Sequence, residues 1–200
     1  MKTSRKVWLV ATPIVLLFIA GYLTATHLNS NPRRSIGQEL DALNGVPVFY
    51  NGPVGNTTGR SISRDGYNLG LKYQCVEFVK RYYYERFGHK MPDPYGHARE
   101  FFDGKLRDGE WNRNRALLQF ANGSEAEPAP DDILVLGPST FNEYGHVAII
   151  SKVSDREVEI VQQNPGPFES SRAQFSMHFR YGKWFIENDR VLGWLRIRRD

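Results

Sequence analysis

One strongly helical segment followed by a group of strand-like segments constrains the fold of this 200-residue chain more than any other feature. From Tyr73 to Gly88, apolar side chains recur at intervals of about 3.6 residues and a glycine closes the pattern, which predicts an amphipathic helix with a C-terminal stop. Four later segments have the composition of β-strands, at residues 133–136, 146–153, 158–163 and 191–197. A helix that precedes a group of strands predicts the α+β class.

The second and third of these strand segments are predicted to form an antiparallel hairpin. A three-residue turn at 154–156 would pair Val153 with Glu157 and place His146 opposite Asn164. A two-residue turn would place His146 opposite Gln163 instead. Because adjacent strands lie ~4.8 Å apart, either partner would be within hydrogen-bonding reach of the imidazole.

The remaining elements are shorter. Residues 45–51 alternate like a short strand, and Pro47 favours an edge position in a sheet. Residues 97–102 are expected to form a second short helix. Residues 52–70 are rich in Gly, Asn, Thr and Ser and are predicted to be a loop, and residues 111–130 are expected to be irregular.

The first 27 residues predict a membrane segment ahead of a separate domain. Lys2, Arg5 and Lys6 precede an apolar run from Val7 to Leu23. An uncleaved anchor is favoured over a cleaved signal peptide, because no A-x-A cleavage site follows the run. The expected organisation is an anchor at 1–27, a linker at 28–44 and a domain at 45–200. The basic N-terminus predicts a single-pass protein of the inner membrane whose domain faces the periplasm or the outside.

The charge balance argues against nucleic acid as a partner. Without the three basic residues of the N-terminal segment, the chain carries 23 basic and 22 acidic residues, so no concentrated basic face is expected. The His, Asp and Glu spacings contain no recognisable metal-ligand motif, and no metal or other cofactor is expected. The single cysteine excludes an internal disulfide.

Cys75 and His146 are the candidates for a nucleophile and its general base. Cys75 opens the predicted helix, where the helix dipole favours a thiolate over a thiol. His146 begins a strand directly after Gly145, whose lack of a side chain leaves room for a ligand. Each residue also has an interpretation without a catalytic role. Cys75 could be a small apolar residue packed under the start of the helix, and His146 a histidine at a strand end bonded to backbone.

The predicted hairpin brings a third candidate beside this pair. Gln162 and Asn164 share one face of the third strand by its two-residue period. A neutral amide that accepts a hydrogen bond from the imidazole would fix its tautomer, as asparagine does in papain-like cysteine proteases. The hairpin alone leaves open which of the two amides has this role.

Three of these segments together resemble a known family. The blocks Tyr73 to Tyr83, Gly145 to Ile150 and Val158 to Asn164 resemble the CHAP family of cysteine, histidine-dependent amidohydrolases and peptidases. Within that family they look most like the amidase domain of glutathionylspermidine synthetase/amidase. Supporting similarity extends from about residue 45 to the end of the chain.

The resemblance implies a papain-like CHAP fold with the helix that bears the cysteine packed on an antiparallel sheet. It also implies Cys75 as nucleophile and His146 as base of a cysteine amidase that cleaves a peptide-like amide through a thioester. It implies an acidic residue at position 162, where this chain has Gln162, and that leaves the orienting role to Gln162 or Asn164.

The predicted location and the resemblance point to different substrates, and peptidoglycan is favoured because an enzyme of the wall needs a tether whereas an enzyme of a diffusing metabolite does not. An outward-facing domain favours amides of peptidoglycan, whereas the closest motif similarity favours an amide of glutathione with a polyamine. A catalytically idle binding module is a third hypothesis, because the acidic residue at position 162 is missing.

Overall fold

The chain folds mainly into β-sheet. The computed structural model describes residues 13, 15–17, 19–23, 28–140 and 142–198. These residues contain strands β1 (Glu39–Leu43), β2 (Val46–Phe49), β3 (Arg60–Ile62), β4 (Asn68–Leu71), β5 (Glu110–Asn112), β6 (Leu117–Ala121), β7 (Ile133–Leu136), β8 (His146–Val153), β9 (Glu157–Val161), β10 (Arg172–Arg180), β11 (Lys183–Ile186) and β12 (Val191–Arg196). They also contain the α-helix α1 (Cys75–Phe87) and a 3-10 helix at Ala98–Phe101.

Eight of the strands form one antiparallel sheet in the order β11-β10-β9-β8-β7-β12-β6-β5. Two separate hairpins, β1–β2 and β3–β4, complete the strand structure of the described residues. Strand β1 lies in the stretch that was expected to be a linker, and it pairs with β2. Strand β8 is central in the large sheet, so its first residue lies at the end of a buried strand.

The alternation of side chains along the central strands divides the core into two layers. On one face, Val147 and Ile149 pack with α1 residues such as Phe78 and Val79, all fully buried. On the other face, Ala148 and other residues join a second apolar cluster around Trp194. The two-residue period of β8 therefore holds α1 against one side of the sheet.

Helix α1 begins and ends where the sequence predicts. Cys75 is its first residue, and Gly88 terminates it in the left-handed conformation, with φ 63° and its N–H bonded to the carbonyls of Tyr83 and Tyr84. Gly70 on β4 allows the hairpin to approach the helix closely, since a Cβ there would lie 3.3 Å from the backbone of Glu77.

The predicted α+β class is wrong, because most regular structure in the described chain is β-sheet. The segments expected to be irregular contain β3 and β4 at residues 60–71, and β5 and β6 at residues 110–121. These strands are three to five residues long. Such short strands carry too little alternation to be recognised from sequence.

The predicted transmembrane helix is also corrected. Within the part of the chain that the structure describes, no helix is long and apolar enough to cross a membrane. The described helical residues of the N-terminal segment lie between positions 13 and 23. Part of the predicted segment lies outside the described residues, and the expected inner-membrane location is not supported.

The hairpin of β8 and β9 forms, but its turn differs from the prediction. Val153 pairs with Val158 rather than Glu157, so the turn is one residue longer. A register shift between Ile150 and Lys152 then compensates for this extra residue. As a result Ile149 pairs with Val161, and the same register continued along the chain places His146 opposite Asn164.

Candidate active site

Cys75 lies on the floor of a cleft of about 500 Å³, at the first turn of α1. Two residues earlier Tyr73 adopts φ 65°, an uncommon conformation for an aromatic residue, and turns the chain from β4 into the helix. Hydrogen bonds from the backbone N–H groups of Cys75, Val76 and Val147 to the sulfur favour the thiolate and so act to lower the pKa of the thiol. Because Val147 follows His146 on β8, the sulfur lies beside the strand that carries the histidine.

His146 enters the site as the first residue of β8 and is 6% exposed. The residue before it, Gly145, has φ 76°, and a Cβ on it would lie 2.6 Å from the carbonyl oxygen of Leu136. Only glycine fits this position without moving β7. The glycine therefore allows β7 to pack closely against the chain just before His146.

Gln162 is the amide that contacts the imidazole. Its Oε1 lies 3.0 Å from Nε2 of His146. The Nε2 of Gln162 donates to the carbonyl of Ser170 at 3.0 Å, which fixes the orientation of the amide so that its oxygen faces the ring. The histidine must then donate from Nε2–H, and Nδ1 is left as the unprotonated nitrogen.

Asn164 forms no hydrogen bond with His146, although the strand register places it opposite. Its backbone has φ 58°, and its Nδ2 donates to Gln74 Oε1 at 2.7 Å and to the carbonyl of Val54 at 3.0 Å. The Nε2 of Gln74 donates in turn to the carbonyls of Val54 and Asn56. Asn164 and Gln74 together therefore hold the loop at 54–56 beside the nucleophile.

Gln163, which a two-residue turn would have placed opposite His146, instead connects the end of β9 to the start of α1, a role that the sequence did not indicate. It is fully buried, and its Nε2 donates to the carbonyl of Gln74 at 3.0 Å and to Glu77 Oε2 at 2.9 Å. Glu77 also forms a buried ion pair with Arg81 at 2.7 Å. Three consecutive amides therefore have three different partners. Gln162 bonds to the histidine, Gln163 bonds to the backbone of Gln74 and to Glu77, and Asn164 bonds to the side chain of Gln74.

Lys80 is a second residue that sequence reasoning missed. It is 1% exposed on α1, and its Nζ donates to the carbonyls of Asn68 and Pro94, the latter at 2.8 Å. Burial lowers the pKa of Lys80 to about 8. The lysine joins β4 to the loop at 94–98, and both of these form walls of the cleft.

Desolvation sets the charge state of the candidate pair. Burial raises the pKa of the Cys75 thiol, and the nearby backbone N–H groups oppose this effect. Burial lowers the pKa of His146 to about 4, the hydrogen bond to Gln162 opposes the change, and the charge of Arg190 lowers the pKa further. The resting pair is therefore a thiol and a neutral imidazole. The helix start alone predicted a thiolate, but the cost of desolvation is larger here.

No group of three or more His, Cys, Asp and Glu residues suited to a metal ion occurs among the described residues. The side chains at the start of α1 and at the adjoining ends of β8 and β9 are a thiol, an imidazole and neutral amides. This set supports transfer of an acyl group to sulfur with proton transfer by the imidazole.

Comparison with known proteins gives a family match and two curated relatives. The model of the CHAP domain matches residues 65–164, which confirms the resemblance seen in the sequence motifs. Trypanothione synthetase of Crithidia fasciculata is 31% identical over 148 residues, covering 72% of this chain and 22% of that protein. Bifunctional glutathionylspermidine synthetase/amidase of Escherichia coli (strain K12) is 36% identical over 107 residues, covering 52% of this chain and 17% of that protein.

This chain therefore spans about a fifth of the length of either relative. Among solved structures, the wild-type endolysin LysIME-EF1 matches 72% of this chain and 60% of its own, at 22% identity and a TM-score of 0.39. Similarity at that level carries no weight for either fold or function.

Proposed function

Because the chain belongs to the CHAP domain family, we propose that it is a cysteine amidase that cleaves a peptide-like amide through a thioester on Cys75. The family and the amidase relatives support hydrolysis of an amide bond. The observation that carries the cysteine mechanism is the bond from His146 Nε2 to Gln162, which leaves Nδ1 as a base at the strand beside the thiol.

Acylation begins from the neutral pair. As Cys75 Sγ attacks the carbonyl carbon of the substrate, its proton passes to Nδ1 of His146, and the carbonyl oxygen becomes an oxyanion. The backbone N–H of Cys75 is the proposed donor to this oxygen. The carbon–nitrogen bond then breaks, the imidazolium returns its proton to the leaving amine, and the acyl group remains on sulfur as a thioester.

Deacylation uses the same base. His146 takes a proton from water, the hydroxide attacks the thioester carbonyl, and the carbon–sulfur bond breaks to release a carboxylic acid. The proton on the imidazole returns to the sulfur. In both steps Gln162 holds the ring in one tautomer and one orientation, so its role is to position the base.

The substrate we propose is a short peptide-like acyl group joined to an amine, and glutathionylspermidine is the first compound to test. Two relatives at 31% and 36% identity are enzymes of glutathionylspermidine and trypanothione by name. The case for peptidoglycan depended on the predicted membrane anchor, which the described chain does not support.

Amine release by the purified full chain tests this proposal. The expected result is turnover of glutathionylspermidine by the wild-type protein and none by Cys75→Ala, whose melting temperature should match the wild type because alanine fits the buried site. Turnover of a peptidoglycan stem peptide alone would redirect the substrate assignment. A folded protein that binds but hydrolyses neither compound would instead establish a binding module.

A further inference from the structure

A connection between two strands carries the group that orients Gln162. Residues 162–171, all within the described chain, link β9 to β10 without a helix or strand. The carbonyl of Ser170 in this connection accepts the hydrogen bond from Nε2 of Gln162, and the amide oxygen therefore faces His146. A carbonyl can only accept a hydrogen bond, so the position of Ser170 decides which end of the Gln162 amide meets the imidazole.

A segment far away in the sequence holds this connection in place, and we name this segment, residues 28–38, the strap. Asn31 of the strap donates from Nδ2 to the carbonyl of Pro167 at 2.8 Å. Arg34 donates from Nη1 to the carbonyl of Glu169 at 3.3 Å. Asn31 is buried, and Arg34 is half-buried. The strap therefore binds the connection at two carbonyls just before the one that accepts from the glutamine.

The strap is itself fixed, so Asn31 presents its donor in a defined direction. Its Oδ1 accepts from the N–H of Arg33 at 3.0 Å, and its own N–H donates to Asn29 Oδ1 at 3.2 Å. Asn29 Oδ1 also accepts from the hydroxyl of the buried Tyr50 at 2.8 Å. Gly37 joins the strap to the end of β2, since its N–H donates to the carbonyl of Tyr50 at 2.8 Å. Because the oxygen of the Asn31 amide accepts from Arg33, its nitrogen must face the connection.

We propose that Asn31 is a positioning residue of the active site, which acts through the connection on Gln162 and so keeps His146 in the tautomer with its proton on Nε2. This inference rests on the proposed amidase function. It adds a residue that lies outside the range 65–164, which matches the family. In this proposal the catalytic domain begins with the strap rather than at residue 45, since the strap holds one of the groups that orient the base.

Movement of the connection would allow the Gln162 amide to turn over. With the carbonyl of Ser170 displaced, the NH2 group of Gln162 can face the ring and donate to Nε2 of His146. The ring then loses its proton from Nε2 to solvent and takes one from solvent on Nδ1, without a change in charge. Nδ1 is the atom that must accept the proton of Cys75, so this tautomer cannot start the reaction. None of the strap residues, all of which are described, lines the cleft, so loss of Asn31 should lower kcat and leave KM unchanged.

Nuclear magnetic resonance of the full-length protein, labelled with nitrogen-15 in its histidine rings, reads the tautomer at pH 7 without a substrate. His146→Ala identifies the signal of His146 among the five histidines. The wild type should carry the His146 proton on Nε2 alone. Asn31→Leu, which keeps a similar size but removes the donor, should populate the tautomer with the proton on Nδ1. It should also lower kcat for glutathionylspermidine about fivefold, the effect of one neutral hydrogen bond.

Asn122→Leu is the matched control. The side chain of Asn122 also donates once and accepts once, in both cases with the backbone of Ile186, at 3.0 and 2.8 Å. Asn122 lies outside both the cleft and the connection. This variant should lose a similar amount of stability in urea but keep the wild-type tautomer and kcat. An equal change of tautomer in Asn122→Leu would overturn the proposal, because a general loss of stability would then explain the effect.

Arg34→Met is a second test at a half-buried position, and it removes the bond to the carbonyl of Glu169. It should move the tautomer in the same direction as Asn31→Leu, and it decides the outcome alone if Asn31→Leu does not fold. A wild-type tautomer in every folded variant of the two would overturn the positioning role, even if the wild type is an active amidase. A changed tautomer would support the positioning of His146 by the strap even if the wild type hydrolyses no amide, and only the amidase function would then fail.

Discussion

A glutamate at position 162 would add a negative charge next to the imidazole without changing the size of the side chain. Oε1 of Gln162 lies 3.0 Å from His146 Nε2, so the charge centres of a carboxylate and an imidazolium would be ~4 Å apart. At an effective dielectric constant of ~20 this attraction is ~4 kcal/mol, equivalent to a rise of about three in the pKa of His146. That value is an upper limit.

The carbonyl of Ser170 makes the same substitution costly to the stability of the fold. It now accepts a hydrogen bond from Gln162 Nε2 at 3.0 Å, and a carboxylate would place a second acceptor against it. An unsatisfied buried acceptor costs about 1–3 kcal/mol. That cost is the same for both protonation states of His146, so it lowers folding stability and does not change the pKa. The expected result of Gln162→Glu is a rise of about one to three in the pKa of His146, which burial now holds at about 4, in a less stable protein.

Alkylation of the single cysteine measures this effect without a substrate. A more basic imidazole stabilises the thiolate–imidazolium pair, so Cys75 should react with iodoacetamide about tenfold faster at pH 7 in Gln162→Glu than in the wild type. Gln162→Met is the control of similar shape, and it should show no increase. If the pH profiles of alkylation were identical for the wild type and a folded Gln162→Glu protein, the contact between His146 and Gln162 would not determine the charge state of the Cys75–His146 pair.

Three further predictions concern stability and substrate binding. Asn164→Ala should leave the pH profile of Cys75 alkylation unchanged and lower the free energy of unfolding in urea by about 1–2 kcal/mol. The reason is that the two hydrogen bonds of Asn164 hold the loop at 54–56 rather than the histidine. A shifted pH profile would contradict this. Lys80→Met should remove the donor that joins the carbonyls of Asn68 and Pro94, lowering stability by about 1–3 kcal/mol and raising KM more than it lowers kcat. An unchanged KM would show that the wall does not depend on the lysine. The pKa of His146 is about 4 in the fold against 6.5 normally, so the unfolded chain binds the proton first as pH falls. Stability should therefore drop by about 3 kcal/mol between pH 6.5 and 4, and His146→Leu should lack that slope.

Periodic segments of the sequence were predictable, and short strands were not. The apolar spacing in α1 and the continuous apolar run after Gly145 identified the helix and the start of β8, because each pattern matches one backbone period. Strand β10 was missed since its nine residues are mostly exposed or half-buried and do not alternate cleanly. The sequence therefore predicted the elements that carry Cys75 and His146 but underestimated the sheet.

The third site residue could not be decided from strand register alone. Continued register places Asn164 opposite His146, yet Gln162 makes the contact, because a long side chain on the same face reaches a diagonal neighbour. The left-handed backbone of Asn164 turns its side chain toward Gln74 instead. The sequence did not indicate the contacts of Gln163 with the start of α1 or the role of Lys80, since both depend on partners on distant segments.

Trapping the acyl group on sulfur tests the central claim most directly. Wild-type protein mixed with glutathionylspermidine and quenched in acid within milliseconds should gain the mass of the glutathionyl group, and peptide mapping should place it on Cys75. Cys75→Ala should show no adduct. His146→Ala, which lacks the base, should accumulate it far more slowly. Amine release by the wild type with no adduct on Cys75, or continued release by Cys75→Ala, would contradict the thioester mechanism.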